Sequence, residues 1–382
     1  MPDFLVNGFS FLSHGVVGYA IPFLFVLTIV VFFHELGHFL VARWAGVRVL
    51  TFSLGFGPEL IGFNDKHGTR WKISAIPLGG YVKFFGDDSE ASTPSAALAA
   101  MTAEERKSSF HHKKVGPRAA IVAAGPIANF LLAILIFAAL FTINGRPITT
   151  ARIDKVMPDS AAAVAGFQSG DVVLAIDGRK VDSFTEMQRT VSGEAGRELT
   201  FTVKRGDQSI ELKATPQLKE IKDSFGNVQR VAILGISRSN NPGDVTTEKI
   251  NPATALVLGA KETWFVVDRT LAYIGGIFTG REAADQLGGP LRIAQISGQV
   301  ATFGLSPLLH LAAVLSVSIG LLNLFPVPLL DGGHLVFYAV EAIRGRPLSE
   351  RAQEMGFRIG LGLVLMLMVF ATYNDILHLA AS

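Results

Sequence analysis

Cysteine is absent from all 382 residues, which excludes disulfides, a catalytic thiol and any thiolate metal site. A metal here must be held by His, Asp, Glu or backbone oxygen. Charge is scarce too: Asp, Glu, Lys and Arg make up 17 % of the chain, against ~25 % in soluble proteins. The 34 cations and 32 anions nearly cancel, so nothing points to nucleic acid. Residues 1–42 hold no Lys or Arg, so the apolar start lacks the basic region of a cleaved signal peptide. Apolar residues reach 49 %. Disorder and coiled coil both need far more polar sequence and are excluded. The length suggests two to three folded units at ~150 residues each. The composition is that of a membrane protein with a water-soluble part.

About four stretches are apolar enough to cross a ~30 Å hydrocarbon core, which takes ~20 helical residues. We divide the chain into a first transmembrane helix over 1–43, a loop over 44–118 and a second transmembrane helix over 119–145. A small domain over 146–218 follows, then a linker and interfacial helix over 219–292. A third transmembrane helix covers 293–343, a short loop 344–358 and a fourth transmembrane helix 359–382. The loop 43–118 carries eleven Lys and Arg, and 344–358 carries four. By the positive-inside rule these segments are cytoplasmic, with both termini and 146–255 outside.

Between the first two spans, Arg70–Phe85 reads as a membrane-associated β-hairpin, two strands around a Pro77-Leu78-Gly79-Gly80 turn. Residues 87–114 run from acidic to basic and read as a solvated linker helix. The outer segment contains Ala165-Gly-Phe-Gln-Ser-Gly-Asp171, then a strand ending at Asp177-Gly178. This resembles a PDZ domain of the bacterial type, in a single copy. Residues 219–250 read as a linker with one strand, Val231–Ile236.

The chemistry centres on His34-Glu35-Leu36-Gly37-His38. On a helix, residues four apart share one face, so both imidazoles can grip one zinc. Glu35, one position round, can serve as general acid and base toward the attacking water. A structural His pair is the alternative, but ionisable groups inside a span cost ~2.5–3.5 kcal/mol each and call for a compensating role. Asp331 is the first charge after 38 uncharged residues and is the candidate third ligand. His34 lies nine residues before Arg43 and Asp331 thirteen before Arg344, so both fall in the cytoplasmic half. His334 is a competing ligand, or a second-sphere or core histidine. Pro326, Pro328 and Gly332-Gly333 break the helix around Asp331, as expected where backbone lines a cavity. Asn129 and Asn323 intrude into apolar runs and either bridge helices or orient the substrate carbonyl. Gly79 and Gly80 are assigned to substrate positioning, on the hairpin edge.

Taken together, His-Glu-x-x-His, Gly125-Pro-x-x-Asn-Phe130, the PDZ string and Asn323-x-x-Pro-x-Pro-x-Leu-Asp-Gly-Gly-His334 resemble the site-2 protease family of intramembrane zinc metalloproteases. The nearest group is the bacterial regulator-of-sigma-E protease type. The resemblance implies zinc on His34, His38 and Asp331, with Glu35 as the catalytic acid and base. It also implies a bacterial inner membrane and transmembrane substrates: anti-sigma factors or signal-peptide remnants. The expected fold is a polytopic α-helical membrane protein with a membrane-associated β-hairpin and one extracytoplasmic, periplasmic PDZ domain, which would contact substrate. The best-known members carry two PDZ domains, and only one fits here. Two other readings stay open: a non-enzymatic PDZ scaffold in the lipid bilayer, and a zinc metalloprotease of non-membrane peptides.

Overall fold

The computed structural model describes residues 17–86, 101–148, 150–222, 228–238, 246–279 and 288–381. Helix α1 (Val17–Trp44) leads into strands β1 (Val49–Asn64) and β2 (Arg70–Phe84), short helix α2 (Ala103–Ser108) and long helix α3 (Val115–Asn144). Strands β3 (Arg146–Ile148) and β4 (Lys155–Val156) precede helix α4 (Ala161–Val164), strands β5 (Val172–Ile176) and β6 (Arg179–Lys180), and helix α5 (Phe184–Ser192). Then come β7 (Leu199–Arg205), β8 (Gln208–Ala214), β9 (Gln217–Lys222), β10 (Val228–Ile233), β11 (Ile236–Ser237) and β12 (Thr246–Glu248). Five further helices follow: α6 (Pro252–Phe278), α7 (Pro290–Ala301), α8 (Leu305–Asn323), α9 (Asp331–Arg344) and α10 (Glu350–Ala381). The chain forms two compact units, one of residues 1–139, 256–270 and 283–381, the other chiefly of 140–255.

Among the described residues of the first unit, four helices are long and apolar enough to cross a membrane: α1, α3, α8 and Arg351–Leu377 of α10. In lipid no hydrophobic force pulls helices together, so close approach through small residues takes its place. A Cβ on Gly37 of α1 would collide with the Ala124 carbonyl of α3, and one on Gly298 of α7 with Tyr19 of α1. A Cβ on Gly320 of α8 would lie 3.1 Å from the Asn129 Cβ of α3.

The sequence suggests one span over 293–343; the chain instead makes three helices there. Gly304, at φ of +105°, turns the chain between α7 and α8, and the two prolines hold 324–330 out of helix. Gly332 and Gly333 do not break the helix. They lie in the first turn of α9, where side chains would strike the backbone of residues 324–328. Asp375 of α10 is buried and accepts from the backbone N–H groups of Gly289 (2.8 Å), Leu291 (3.0 Å) and Arg292 (3.1 Å). It thereby caps the first turn of α7 from another helix.

The hairpin also differs from its expected form. Asp65 Oδ1 accepts from the N–H groups of His67 (2.8 Å) and Thr69 (2.9 Å), and Gly68 supplies φ of +82°. This Asx turn joins β1 to β2. Pro77–Gly80 lies within β2 instead. Both strands bend, so residues 51–54 pair with 80–83 on one side and with 70–73 on the other. Residues 80–84 therefore form a sheet edge, paired on one side among the described residues. The expected helix over 87–114 lies partly outside the described residues; within it, α2 opens with a capping box at Thr102 and Glu105.

In the second unit, β6-β5-β7-β8 form an antiparallel sheet over a core of Phe167, Phe201, Met187 and Ile153. The unit runs past 218, because β11 pairs with β4, β12 pairs with β3, and Leu234 enters the core. The described residues of 219–250 are thus part of the fold. The Ala-Gly-Phe-x-x-Gly-Asp string has a local logic. Gly166 and Gly170 take positive φ, Phe167 is buried, and Asp171 accepts from Gln168 N–H and from the Arg205 guanidinium, 2.8 Å each. Burial pushes the Asp171 carboxyl up, but the Arg205 and Gln168 contacts outweigh it and hold it below the ordinary range.

A depressed carboxyl contributes stability above its unfolded pKa and loses it as pH falls through the folded value. Asp171→Asn is therefore expected to lower the stability of this unit at pH 7 by about 1–3 kcal/mol, with Arg205 partly exposed. It should also flatten the acid side of the stability curve. Limited proteolysis within 150–238 of the full chain, from pH 7 to pH 3, checks both.

Candidate metal centre

Helix α1 sets His34 and His38 one turn apart on one face, their rings at 82° with centroids 4.8 Å apart. Asp331 is the first residue of α9. Its Oδ2 lies 3.2 Å from His34 Nε2, and its Oδ1 3.6 Å from His38 Nε2. The two Nε2 atoms are 3.2 Å apart. One nitrogen from each ring and a carboxylate oxygen thus fall within 4.8 Å of one another, the only such group among the described residues. Asp331 Oδ2 is buried without a hydrogen-bond partner. Two imidazoles and a carboxylate aimed at one point, with an orphaned oxygen, suit a four-coordinate zinc with one open position.

The supports are specific. His38 Nδ1 donates to the Ile121 carbonyl at 2.8 Å, which leaves its Nε2 lone pair for a metal. Gly125 has no side chain to obstruct the rings; a Cβ there would overlap His38 Nε2 and lie 2.9 Å from His34 Cε1. Leu329 holds φ of +103°, a strained conformation for a leucine, two residues before Asp331. Arg118 of α3 donates to Glu341 at 2.5 Å and lies over the Tyr338 ring, tying α9 to α3. Gly125 stands out in the sequence only as part of the Gly-Pro-x-x-Asn-Phe string, and nothing there shows what it, Leu329 or Arg118 faces.

The other predicted residues separate. Glu35, Asn323, His334 and Gly80 line one cavity of about 250 Å³ with the three converging residues, Tyr81, Val82 and Tyr338. A Cβ on Gly80 would lie 3.1 Å from Glu35 Cγ, so the edge of β2 runs against Glu35. Gly79 needs its φ of +103° and sits under the Phe56 ring. His334 lies outside the converging trio, its ring 5.3 Å from that of Phe357. Asn129 is wholly buried behind His34, with Nδ2 3.3 Å from His34 Nδ1.

Among sequence families, peptidase family M50 matches residues 22–367. A protein of Agrobacterium fabrum named as a zinc metalloprotease is 56 % identical over 360 residues, covering 94 % of this chain and 96 % of the relative. Metalloprotease MmpA of Caulobacter vibrioides is 40 % identical over 379 residues, covering 93 % and 94 %. The PDZ domain of the SdrC-like protein of Listeria monocytogenes is 23 % identical, covering 22 % of this chain and 83 % of that one, with a TM-score of 0.18.

Gly125→Ala is expected to weaken metal binding by about 10–100-fold, the range for displacing a ligand's support. Helix content should persist. Chelator competition followed by elemental analysis measures the first, and circular dichroism the second.

Proposed function

The chain belongs to peptidase family M50, and from that premise we propose that it hydrolyses peptide bonds of membrane-spanning substrates at the centre just described. The observation that carries the site assignment is the convergence of His34 and His38, on the apolar helix α1, with Asp331 at the start of α9, beside Glu35. Those three residues would hold the zinc. Bound there, zinc supplies a Lewis acid for the scissile carbonyl and lowers the pKa of water. Glu35 lines the same cavity and takes the proton from the attacking water, then passes it to the leaving amine. Asn323, at the end of α8, faces the cavity and donates from its amide to the substrate carbonyl. Relatives named as zinc metalloproteases, matched almost end to end, leave no support for the scaffold reading.

A helical substrate hides its amides in its own ladder, so it must unwind to be cut. Unwound backbone in an apolar setting is costly unless its N–H and C=O groups find partners at once. The edge at Gly80–Phe84 supplies them by strand addition, whatever the substrate side chains. Exposed Leu60, Ile61, Phe63, Ile73, Ile76 and Leu78 give the hairpin an apolar surface, which supports its association with the membrane. The lysines and arginines of 43–118 support a cytoplasmic hairpin, and so a periplasmic PDZ-like unit, in a bacterial inner membrane. Transmembrane anti-sigma factors and signal-peptide remnants are substrates of the matching chemistry, and the PDZ-like unit would contact them outside.

Glu35→Gln in the reconstituted full chain is expected to keep one zinc and lose about 10²–10⁴-fold in cleavage of a model transmembrane substrate. Near wild-type turnover would discard the acid–base role.

Adjacent residues of a strand point their N–H groups to opposite sides. Of Val82→Pro and Lys83→Pro, one removes an outward donor and the other a bond to β1. The first should lose turnover with zinc content and melting temperature intact; unchanged turnover in both variants would reduce the hairpin to packing.

A further inference from the structure

We infer that Asn129 is a positioning residue for the metal ligand His34: its carboxamide oxygen accepts a hydrogen bond from His34 Nδ1–H, which holds the proton there and leaves the Nε2 lone pair free for coordination. The inference rests on the assignment of His34, His38 and Asp331 as ligands.

A neutral imidazole carries one proton, so a ring that binds metal through Nε2 must hold it on Nδ1. His38 meets this requirement through the Ile121 carbonyl. His34 turns its Nε2 toward Asp331 and His38, and its Nδ1 toward the Asn129 amide at 3.3 Å. With the amide nitrogen facing the ring, Nδ1 must accept and the proton moves to Nε2. With the oxygen facing the ring, Nδ1–H donates and Nε2 is free. A half turn about the Cβ–Cγ bond exchanges the two arrangements, and oxygen and nitrogen fill nearly equal space. Asn129 Oδ1 is buried without a hydrogen-bond partner, so the turn breaks no bond that it holds.

Two observations separate this role from substrate positioning and from plain helix bridging. Asn129 is absent from the walls of the cavity that Asn323 lines, and its exposure is 0 %. Its place is fixed by α8 and not by the histidine. The Asn129 carbonyl accepts from Ser316 Oγ at 2.9 Å, and the Gly320 backbone packs on its Cβ. The side chain of a residue anchored to one helix thus serves a ligand on another.

The test is zinc affinity by chelator competition on the purified full chain, for wild type, Asn129→Leu and Asn129→Asp, together with the visible spectrum of each after cobalt substitution. Leucine keeps the size without an acceptor; aspartate keeps the acceptor. Asn129→Leu is expected to bind zinc about 10–100-fold more weakly and to shift the cobalt bands, while Asn129→Asp stays within about threefold of wild type. Asn129→Ala replaces the leucine variant if the latter does not fold. Wild-type affinity in the variant without an acceptor, or equal loss in Asn129→Asp, overturns the inference. A substrate role would raise KM and leave zinc affinity unmoved, which also overturns it. Stoichiometric zinc retained by His34→Ala would instead overturn the ligand assignment beneath.

Discussion

His34 and His38 sit on a helix that is otherwise almost entirely apolar, and such a helix tolerates them only if they are satisfied by one another and by Asp331 at the start of α9. That mutual satisfaction requires three backbones to approach closely. Glycine at 37 and 125 brings α1 onto α3, and glycine at 332 and 333 folds the 324–328 backbone under the start of α9. Larger residues at these points would separate the helices and leave polar groups facing hydrocarbon. The packing of this unit is, to a large degree, a device for making one polar point.

The same polar point creates the need for the hairpin. A cavity that receives a main chain inside an apolar setting must offer main-chain partners, and helices have none to spare. A strand edge does. Gly80 lets that edge lie against Glu35, so the carboxylate proposed as acid and base and the strand edge proposed as template line the same cavity.

Much of this was legible in the residues. The i, i+4 histidines declare a shared helical face, and Asp331 stands out because 38 uncharged residues precede it. What stayed hidden depends on partners far along the chain. Gly125 and Asn129 stand out as residues of one string, yet nothing in the sequence shows that Gly125 faces the rings of His34 and His38 or that Asn129 faces His34. Pro-Leu-Gly-Gly carries stronger turn chemistry than Asp65-Lys-His-Gly68, yet the Asx turn wins because it lets β1 and β2 pair along their lengths. The second unit was cut short at 218 for a like reason: β11 is two residues long and is a strand only by pairing with β4, about eighty residues earlier.

Helix α7 shows what such distant partnership means in time. Its first turn is capped by Asp375, a carboxylate 86 residues further along than Gly289. A ribosome adds residues at about 5–20 per second, so α7 is made several seconds before its cap exists. Through that interval its leading amides must be satisfied by water or by the insertion machinery. The first turn of the helix that rests on α1 is therefore completed only by the last helix of the chain.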